Sequence, residues 1–334
     1  MRPTVAIIYN EPGSCRYEAI GEEKAVVGVL KEVDAVCGSL TSLGYAVIQV
    51  PLLPPAERVT VTLRSIQADV IFNLCEGIDG CPETEADVAN TLAGIGIPFT
   101  GCPGSALALA LDKARTKELL HDSGICTPRY QLLSPHTLTT FHLSYPCIIK
   151  PSGEDASHGI SEDSVVTDSV SLEKQVTRVS QLYRGKALVE EFVGGREFNA
   201  TVIGNRELMT LPLSEIAYSL PPGMPRILTY SAKWEPQSVY FRHTRVICPA
   251  EIEPEMRKGI DETARSVFSL LGCSGYARVD FRLNGGGELN VIDVNPNPDI
   301  SPDSGAARQA KAHGRTYTQF IEAIVLSALE RGEL

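Results

Sequence analysis

Predicted strands and helices alternate along the first hundred residues, and this alternation constrains the fold more than any other feature of the chain. Apolar residues recur at helical spacing between Glu22 and Leu43, and a second helix is predicted over 84–95. Strands are indicated at 4–10, 45–50, 69–74 and, more briefly, 97–101. This order predicts an open parallel sheet with helices on its faces. Ligands bind beyond the carboxyl ends of the strands in such sheets.

The remainder of the chain is predicted to mix strands and helices. One continuous helix is expected over 104–123, ended by Gly124. Strands dominate from about residue 191, and the other predicted elements are helices at 169–183, 254–271 and about 315–331, with a hairpin at 276–295. The segment "SLPPGMPRIL" at 219–228 is expected to be a long, exposed and mobile loop.

The predicted hairpin carries polar side chains at every second position. Because side chains alternate faces along a strand, Asp280 is expected on the same face as Arg278. On the second strand, alternation predicts that Val291, Asp293 and Asn295 share one face and that Ile292 lies on the other. The turn "NGGG" brings Asp280 close to opposite Asp293.

Asp280, Asp293 and Asn295 together would offer hard oxygen ligands of the kind that Mg²⁺ prefers. The prolines of "NPNPD" prevent further strand pairing after this cluster. The alternative is a solvated hairpin face with alternating charges.

A candidate phosphate-binding loop follows an apolar strand in "IIKPSGEDASHGI". Lys150 ends the strand, and Gly153, Ser157 and Gly159 follow in the loop. Small residues let backbone N–H groups approach phosphate oxygens. The sequence contains no Walker A motif, dinucleotide fingerprint, serine-hydrolase elbow or zincin motif. Taken alone, the segment is more typical of a flexible surface loop.

Composition and charge argue against several classes of protein. The 334 residues suffice for two or three domains, and the formal net charge of −11 disfavours nucleic acid and anionic membranes. The nine cysteines include no Cys-x-x-Cys pair, which favours a reducing cytoplasm over a disulfide framework or a zinc site. No apolar run is long enough to be a signal peptide or a membrane span. We therefore expect a cytoplasmic protein.

The order of these segments resembles the ATP-grasp superfamily, and within it the D-alanine–D-alanine ligase family. The resemblance spans nearly the whole chain and includes "GIPFTGCPGSALALALDKARTKELL", "IIKPSGEDASHGI", "LVEEFVGGREFNATVIGN", "YSAKW", "GCSGYARVDFRL", "LNVIDVNPNPDIS" and "SGAARQA". It implies an ATP-grasp fold of three α/β domains around a central cleft, with the open parallel sheet in the N-terminal domain. The implied domains are 1–103 (Rossmann-like), 104–190 (with the phosphate loop) and 191–334 (with the metal site).

The resemblance also implies a set of ATP-binding and catalytic residues. Arg278 would stabilise a tetrahedral intermediate, and Ser157 is the hydroxyl that remains in the phosphate loop. Asp280, Asp293 and Asn295 match the ligands of two Mg²⁺ ions, for which Mn²⁺ would substitute. The implied ATP contacts are Lys113 and Lys150 for phosphates and base, Glu190 for the adenine amino group, Glu197 for the ribose, Phe192 and Val193 beside the base, and Lys233 for the γ-phosphate.

The sequence departs from the family in the implied amino-acid pockets. Glu76 stands where the family has histidine, Ala156 replaces a lid serine, and Trp234 replaces a tyrosine and so lacks a phenol oxygen. Ser304 matches a serine that holds the second substrate's carboxylate. The family's N-terminal glutamate falls near Ala25, and the acids that could replace it are Glu18, Glu22 and Glu23, of which Glu23 is taken as the candidate substrate residue.

The expected function is therefore that of an ATP- and Mg²⁺-dependent carboxylate–amine ligase with an acyl-phosphate intermediate. Its substrates would be small amino acids or similar molecules, in a pair other than two D-alanines. A homodimer is expected, without nucleic-acid or membrane partners. The alternatives are a non-catalytic ATP-binding regulatory protein and a true D-alanine–D-alanine ligase.

Overall fold

The computed structural model describes residues 2–13 and 15–332. Its first region is a parallel three-stranded sheet in the order β2-β1-β3. The predicted open parallel sheet is confirmed, but the expected fourth strand is reduced to one bridge between Ile71 and Phe99. The elements are β1 (Thr4–Asn10), α1 (Lys24–Ser42), β2 (Ala46–Leu52), α2 (Ala56–Arg64), β3 (Val70–Asn73) and α3 (Glu83–Ile95).

The single helix predicted over 104–123 is in fact two helices, α4 (Gly104–Leu111) and α5 (Lys113–Asp122). The chain breaks at Asp112, where ψ is 82°, far from the helical value. The Asp112 carboxylate then accepts a hydrogen bond of 3.0 Å from the Arg115 backbone N–H, which caps α5. The prediction was wrong here because a capping aspartate inside an apolar helical pattern was read as part of the helix.

The middle region contains an antiparallel sheet in the order β4-β7-β5-β6. Strand β5 leads into residues 152–160, which we call the phosphate loop because the sequence predicts that role. Helix α6 packs on the sheet through Leu172, Val176 and Val179. The elements are β4 (Tyr130–Leu133), β5 (Cys147–Pro151), β6 (Val165–Val166), α6 (Ser169–Leu182) and β7 (Ala187–Glu191).

The third region is built on the largest sheet, whose main path runs β11-β10-β8-β12-β13 while β9 pairs with β8. Helix α9 buries Ile260, Ala264, Val267 and Phe268 against this sheet. The elements are β8 (Glu197–Gly204), β9 (Met209–Thr210), β10 (Ser214–Tyr218), α7 (Tyr230–Trp234), α8 (Val239–His243), β11 (Thr244–Ile247), α9 (Pro254–Leu270), β12 (Gly275–Leu283), β13 (Leu289–Asn295), α10 (Gly305–Ala312) and α11 (Tyr317–Gly332).

A β-bulge changes the predicted alternation on β13. Asp280 pairs with Asp293, but Phe281 pairs with Val291, so Ile292 is an extra residue on its strand. Val291 is consequently buried in the core, while Ile292 faces the cleft beside Asp293. The predicted faces of Val291 and Ile292 were therefore wrong, whereas the predicted pairing of the two aspartates is confirmed.

The segment 219–228 is only partly exposed. Its tip at 221–223 is open to solvent, but Ile227 is buried in a small apolar cluster with Tyr240, against which Leu220 packs. The expected exposure is confirmed for the tip and wrong for Ile227, because the apolar residues on both sides of the prolines anchor the segment. Its mobility stays a prediction.

The last helix packs on the first sheet. Phe320, Ile321 and Val325 of α11 share one apolar cluster with Ile7 of β1 and Val33 of α1. The two ends of the chain therefore build one core. No helix among the described residues is long and apolar enough to span a membrane.

Candidate active site

A cleft of about 860 Å³ lies where the three regions meet. Its lining includes the loop after β3, the end of β5, the phosphate loop, helix α7 and the hairpin β12–β13. All the predicted site residues line this cleft except Glu23. The fold therefore brings together, from distant parts of the sequence, the side chains that the motifs single out.

Glu190 is buried between two lysines at one end of the cleft. Its carboxylate lies 2.8 Å from Lys150 Nζ and 3.0 Å from Lys117 Nζ. Burial opposes ionisation, but the two ammonium groups outweigh it and lower the pKa of Glu190. Lys117 was not predicted, although its position one helical turn after Lys113 on α5 would have indicated it.

Asp280 and Asp293 each have a cation beside them. The Arg278 guanidinium donates to both oxygens of Asp280, at 2.8 Å and 2.9 Å. Lys113 Nζ lies 3.0 Å from Asp293 Oδ1 and 3.2 Å from Asp155 Oδ1 in the phosphate loop. Burial alone would raise the pKa of Asp293, but the charge of Lys113 outweighs it and lowers that pKa. Lys113 thus joins the hairpin to the phosphate loop.

The chemistry of the hairpin suits a magnesium ion. Asp280, Asp293 and Asn295 line the same cleft with oxygen ligands, and the two carboxylates already attract Lys113 and Arg278. Within residues 2–13 and 15–332, no group of three His, Cys, Asp or Glu side chains has metal-binding geometry. Mg²⁺ needs few protein ligands, because it keeps water and phosphate oxygens in its shell. The donor set therefore fits this metal.

Glu197 belongs to a second buried ion pair on the β8 side of the cleft. Arg282 Nε donates to Glu197 Oε2 at 3.0 Å, and Tyr218 OH donates to the same oxygen at 2.7 Å. The Arg282 guanidinium also lies over the Phe192 ring, 5.3 Å from its centroid. Phe192 and Val193 line the cleft beside this pair, which gives the region both an apolar and a polar wall.

Helix α7 places Lys233 and Trp234 in the cleft. The Thr229 hydroxyl caps this short helix by accepting from the Ala232 N–H at 3.0 Å. Burial, followed by the neighbouring charge of Arg278, lowers the pKa of Lys233 to about 8. The indole of Trp234 packs against Gly28 of α1.

Carboxylates cluster at the end of the cleft nearest to β3. Burial and the charges of Asp299 and Asp155 raise the pKa of Glu76 to about 8. Burial also raises the pKa of Glu32 and of Glu85. Among the described residues, no lysine or arginine forms an ion pair with any of these glutamates or with Asp299. Glu32 was not predicted, although it follows Ala25 by two helical turns on α1.

The acid that contacts the phosphate loop is Glu22 and not Glu23. Glu22 accepts hydrogen bonds from the Gly159 N–H at 3.2 Å and pairs with His158 Nδ1 at 2.9 Å. Ala156 and Ser157 in this loop adopt left-handed backbone conformations, with φ of 52° and 63°. Ser304 lines the cleft and also caps α10 by accepting from the Ala307 N–H.

Sequence comparisons relate the chain to known proteins. A sequence profile of the family described as "D-ala D-ala ligase C-terminus" matches residues 119–326. The D-alanine–D-alanine ligase of Carboxydothermus hydrogenoformans is 31% identical over 313 residues, which cover 90% of this chain and 93% of that protein. The uncharacterized protein y4sG of Sinorhizobium fredii is 32% identical over 256 residues, or 77% of this chain and 73% of the relative.

Two solved structures resemble the whole chain. The D-alanine–D-alanine ligase from Bacillus anthracis complexed with ATP has a TM-score of 0.75 at 19% identity, with 100% of this chain and 99% of the other covered. The VanG D-Ala:D-Ser ligase from Enterococcus faecalis has a TM-score of 0.75 at 22% identity, with coverages of 98% and 100%. At these identities the likeness shows the fold alone, and the predicted ATP-grasp fold is confirmed.

Proposed function

Because the chain belongs to the D-alanine–D-alanine ligase family and is a ligase of the ATP-grasp fold, we propose that it joins two small amino acids through an acyl phosphate. The observation that carries this proposal is that Arg278, Lys233, Asp280 and Asp293 share one cleft with the Lys150–Glu190 pair. A protein that only bound ATP would need the Lys150–Glu190 pair but not Arg278, because no oxyanion forms when ATP binds.

The proposed reaction has two steps. The carboxylate of the first substrate attacks the γ-phosphorus of ATP, the bond to ADP breaks, and an acyl phosphate forms. The amine of the second substrate then attacks the carbonyl carbon, the tetrahedral intermediate expels phosphate, and the amine proton is lost. Arg278 stabilises the oxyanion of that intermediate, and Lys233 neutralises charge on the transferred phosphoryl group.

Magnesium would be held by Asp280, Asp293 and Asn295, and it would supply further neutralisation of the phosphate oxygens. Mn²⁺ is proposed to substitute, because it accepts the same oxygen ligands. ATP would lie with its base near Phe192, Val193 and Glu190 and with its ribose near Glu197, while Lys113 and Lys150 contact its phosphates. Ser157 would donate to the phosphate from the loop above it. We also retain the division at residues 103 and 190, the homodimer and the cytoplasmic location as proposals.

The substrate pair is proposed to differ from two D-alanines. Ser304 would hold the carboxylate of the second substrate. The cluster of Glu32, Glu76, Glu85 and Asp299 would favour a first substrate with an additional cationic or hydrogen-bond-donor group. Such a group would stabilise the ionised form of Glu76 and compensate for the cost of gathering unpaired carboxylates. Trp234 would narrow the same pocket. The remaining alternatives are a true D-alanine–D-alanine ligase and a non-catalytic ATP-binding protein.

The test is a substrate screen with two readouts. Purified protein with Mg²⁺ and ATP is offered amino acids and hydroxy acids, singly and in pairs, and ADP release is measured together with product mass. We expect little turnover with D-alanine alone and faster turnover when one substrate carries a second amino group. Efficient D-alanyl-D-alanine formation, with no other pair faster, would contradict the proposed specificity. ATP binding without ADP release from any pair would favour the regulatory alternative.

The variant Glu76→Gln tests the acidic end of the cleft directly. It keeps the size of the side chain and removes its ionisable group. We expect it to weaken the advantage of a cationic substrate by about tenfold while leaving the KM for ATP unchanged. The matched control is Glu57→Gln, which removes a carboxylate from the exposed start of α2. Equal losses for cationic and neutral substrates would show that Glu76 does not select the charge.

A further inference from the structure

A buried polar network joins the phosphate loop to the segment before α1. Arg16 Nη2 and Tyr17 OH each donate to the Glu154 carboxylate, both at 2.6 Å. The Tyr17 ring stacks on His158, with 4.0 Å between the ring centroids. The loop thus contributes one carboxylate, Glu154, that the N-terminal segment binds.

The reciprocal contact runs through Glu22. This buried carboxylate accepts from the Gly159 N–H at 3.2 Å and from Tyr183 OH at 2.8 Å, and it pairs with His158 Nδ1 at 2.9 Å. Burial opposes its charge, but the contact with His158 outweighs it and lowers the pKa of Glu22. Each segment therefore offers one buried carboxylate to the other.

The contact at Gly159 depends on close packing. Gly159 has φ of 76°, and a β-carbon there would lie 2.7 Å from Pro151 Cγ and 2.9 Å from Tyr183 Cε2. The Gly159 N–H can therefore meet Glu22 only because the residue has no side chain. Ala156 and Ser157, just before it, hold left-handed conformations that cost energy for residues with a β-carbon. The loop needs external contacts to keep this shape.

We infer that Glu22 is a positioning residue that fixes the phosphate loop over the reacting phosphoryl group. The inference rests on the proposed function, because it assigns the loop to phosphate. Glu22 contacts the loop at His158 and Gly159, and residues 154–158 of the same loop line the cleft. Fixing the loop keeps the Ser157 hydroxyl in place and keeps water away from the acyl phosphate.

The consequence is a partition between ligation and hydrolysis. An acyl phosphate that meets water gives the free carboxylate and phosphate, so ATP is consumed without product. Removal of the Glu22 carboxylate would loosen the loop and increase the fraction of acyl phosphate that is hydrolysed. A purely structural role would instead lower ADP release and product formation in the same proportion.

The experiment compares Glu22→Gln with wild type, using a substrate pair that the screen identifies. The ratio of ADP released to product formed is the main readout, and we expect it to rise by about tenfold in the variant. Glu162→Gln is the matched control, because Glu162 is an exposed carboxylate just beyond the loop. Glu154→Gln removes the reciprocal carboxylate and should raise the ratio in the same direction even if Glu22→Gln fails to fold.

A second measurement separates this inference from the proposed function. Trp234 is the single tryptophan and lies next to Tyr230, whose ring is 5.6 Å from that of His158. Its fluorescence on titration with Mg²⁺ and a non-hydrolysable ATP analogue reports nucleotide binding. If wild type binds no nucleotide, the proposed function fails. If both proteins bind it and their ADP-to-product ratios agree, the proposed function stands and the role of Glu22 is contradicted.

Discussion

The indole ring of Trp234 lies against Gly28, so close that a β-carbon at residue 28 would come within 3.2 Å of the ring. The two residues are far apart in sequence, and they belong to α1 and α7. Because Gly28 has no side chain, α1 leaves space for the indole ring of Trp234. Both residues line the cleft, so their contact limits the width of the cleft at this point.

A stability comparison tests the contact between Gly28 and Trp234. Alanine in place of glycine inside a helix stabilises it by about 0.5–1 kcal/mol, and Gly38 on the same helix has open space around it. We expect Gly38→Ala to show this gain and Gly28→Ala to show none, because the added methyl group presses on the indole. Urea unfolding measures both values. An equal gain in the two variants would contradict the contact.

Removal of Asp293 should abolish turnover. The variant Asp293→Ala takes away one carboxylate of the proposed magnesium site and leaves Lys113 with Asp155 alone. We expect ADP release to fall by more than about 100-fold, because the phosphate charge is no longer neutralised. The control Glu288→Ala removes an exposed carboxylate from the same hairpin. Near-normal turnover in Asp293→Ala would show that the metal assignment is wrong.

Arg278 should act on the transition state more than on ATP binding. In Arg278→Met the oxyanion loses its guanidinium, while Asp280 keeps the Asn199 amide at 2.7 Å. We expect turnover to fall by about 100-fold or more with little change in the affinity for ATP. Arg265→Met on the exposed side of α9 serves as the control. A loss of ATP affinity in proportion to the rate would indicate a nucleotide-binding role instead.

The protonation of Lys233 should appear in the pH profile. Burial lowers the pKa of Lys233 to about 8, so the free enzyme loses this ammonium as the pH rises through that value. We expect kcat/KM for ATP to fall above about pH 8, and kcat to fall at higher pH, because bound phosphate favours the charged lysine. Lys233→Arg should remove the decline, since arginine stays protonated. A decline that persists in Lys233→Arg would assign it to another group.

The lowered pKa of Lys233 should also make the free energy of unfolding depend on pH. Between about pH 8 and its ordinary value of 10.5, Lys233 holds a proton in the unfolded chain but not in the folded one. The free energy of unfolding should therefore rise with pH across this range, and Lys233→Met should remove the rise. Urea unfolding at pH 8 and at pH 10 measures the change.

The sequence predicted those features that depend on local pattern. Alternating strands and helices indicated the parallel sheet, and the spacing of Asp280 and Asp293 indicated that they would pair. It failed where tertiary geometry decides. The bulge at Ile292 cannot be read from a strict alternation of side chains. Helix α2 was not predicted at all, because its Val- and Thr-rich segment has the composition of a strand.

The cleft could be predicted in outline but not in its internal pairing. Motifs identified Lys113, although its contact with Asp293 and Asp155 arises from three separate regions of the chain. Likewise, Glu23 was preferred over Glu18 and Glu22, whereas the structure brings Glu22 to the phosphate loop, because the end of a helix decides which side chain turns inward. Such contacts depend on how the three regions of the chain pack together, and no short sequence segment contains that information.

The position of α11 has a consequence for biosynthesis. This helix supplies Phe320, Ile321 and Val325 to the core beneath β1, which is synthesised long before the helix. More than two hundred residues separate β3 from the start of α11, and at common translation rates they take about 10 to 50 seconds to synthesise. During that time the nascent sheet has an uncovered apolar face that is open to chaperones and to misassembly. The sheet around β1 is therefore completed only after α11 has been synthesised.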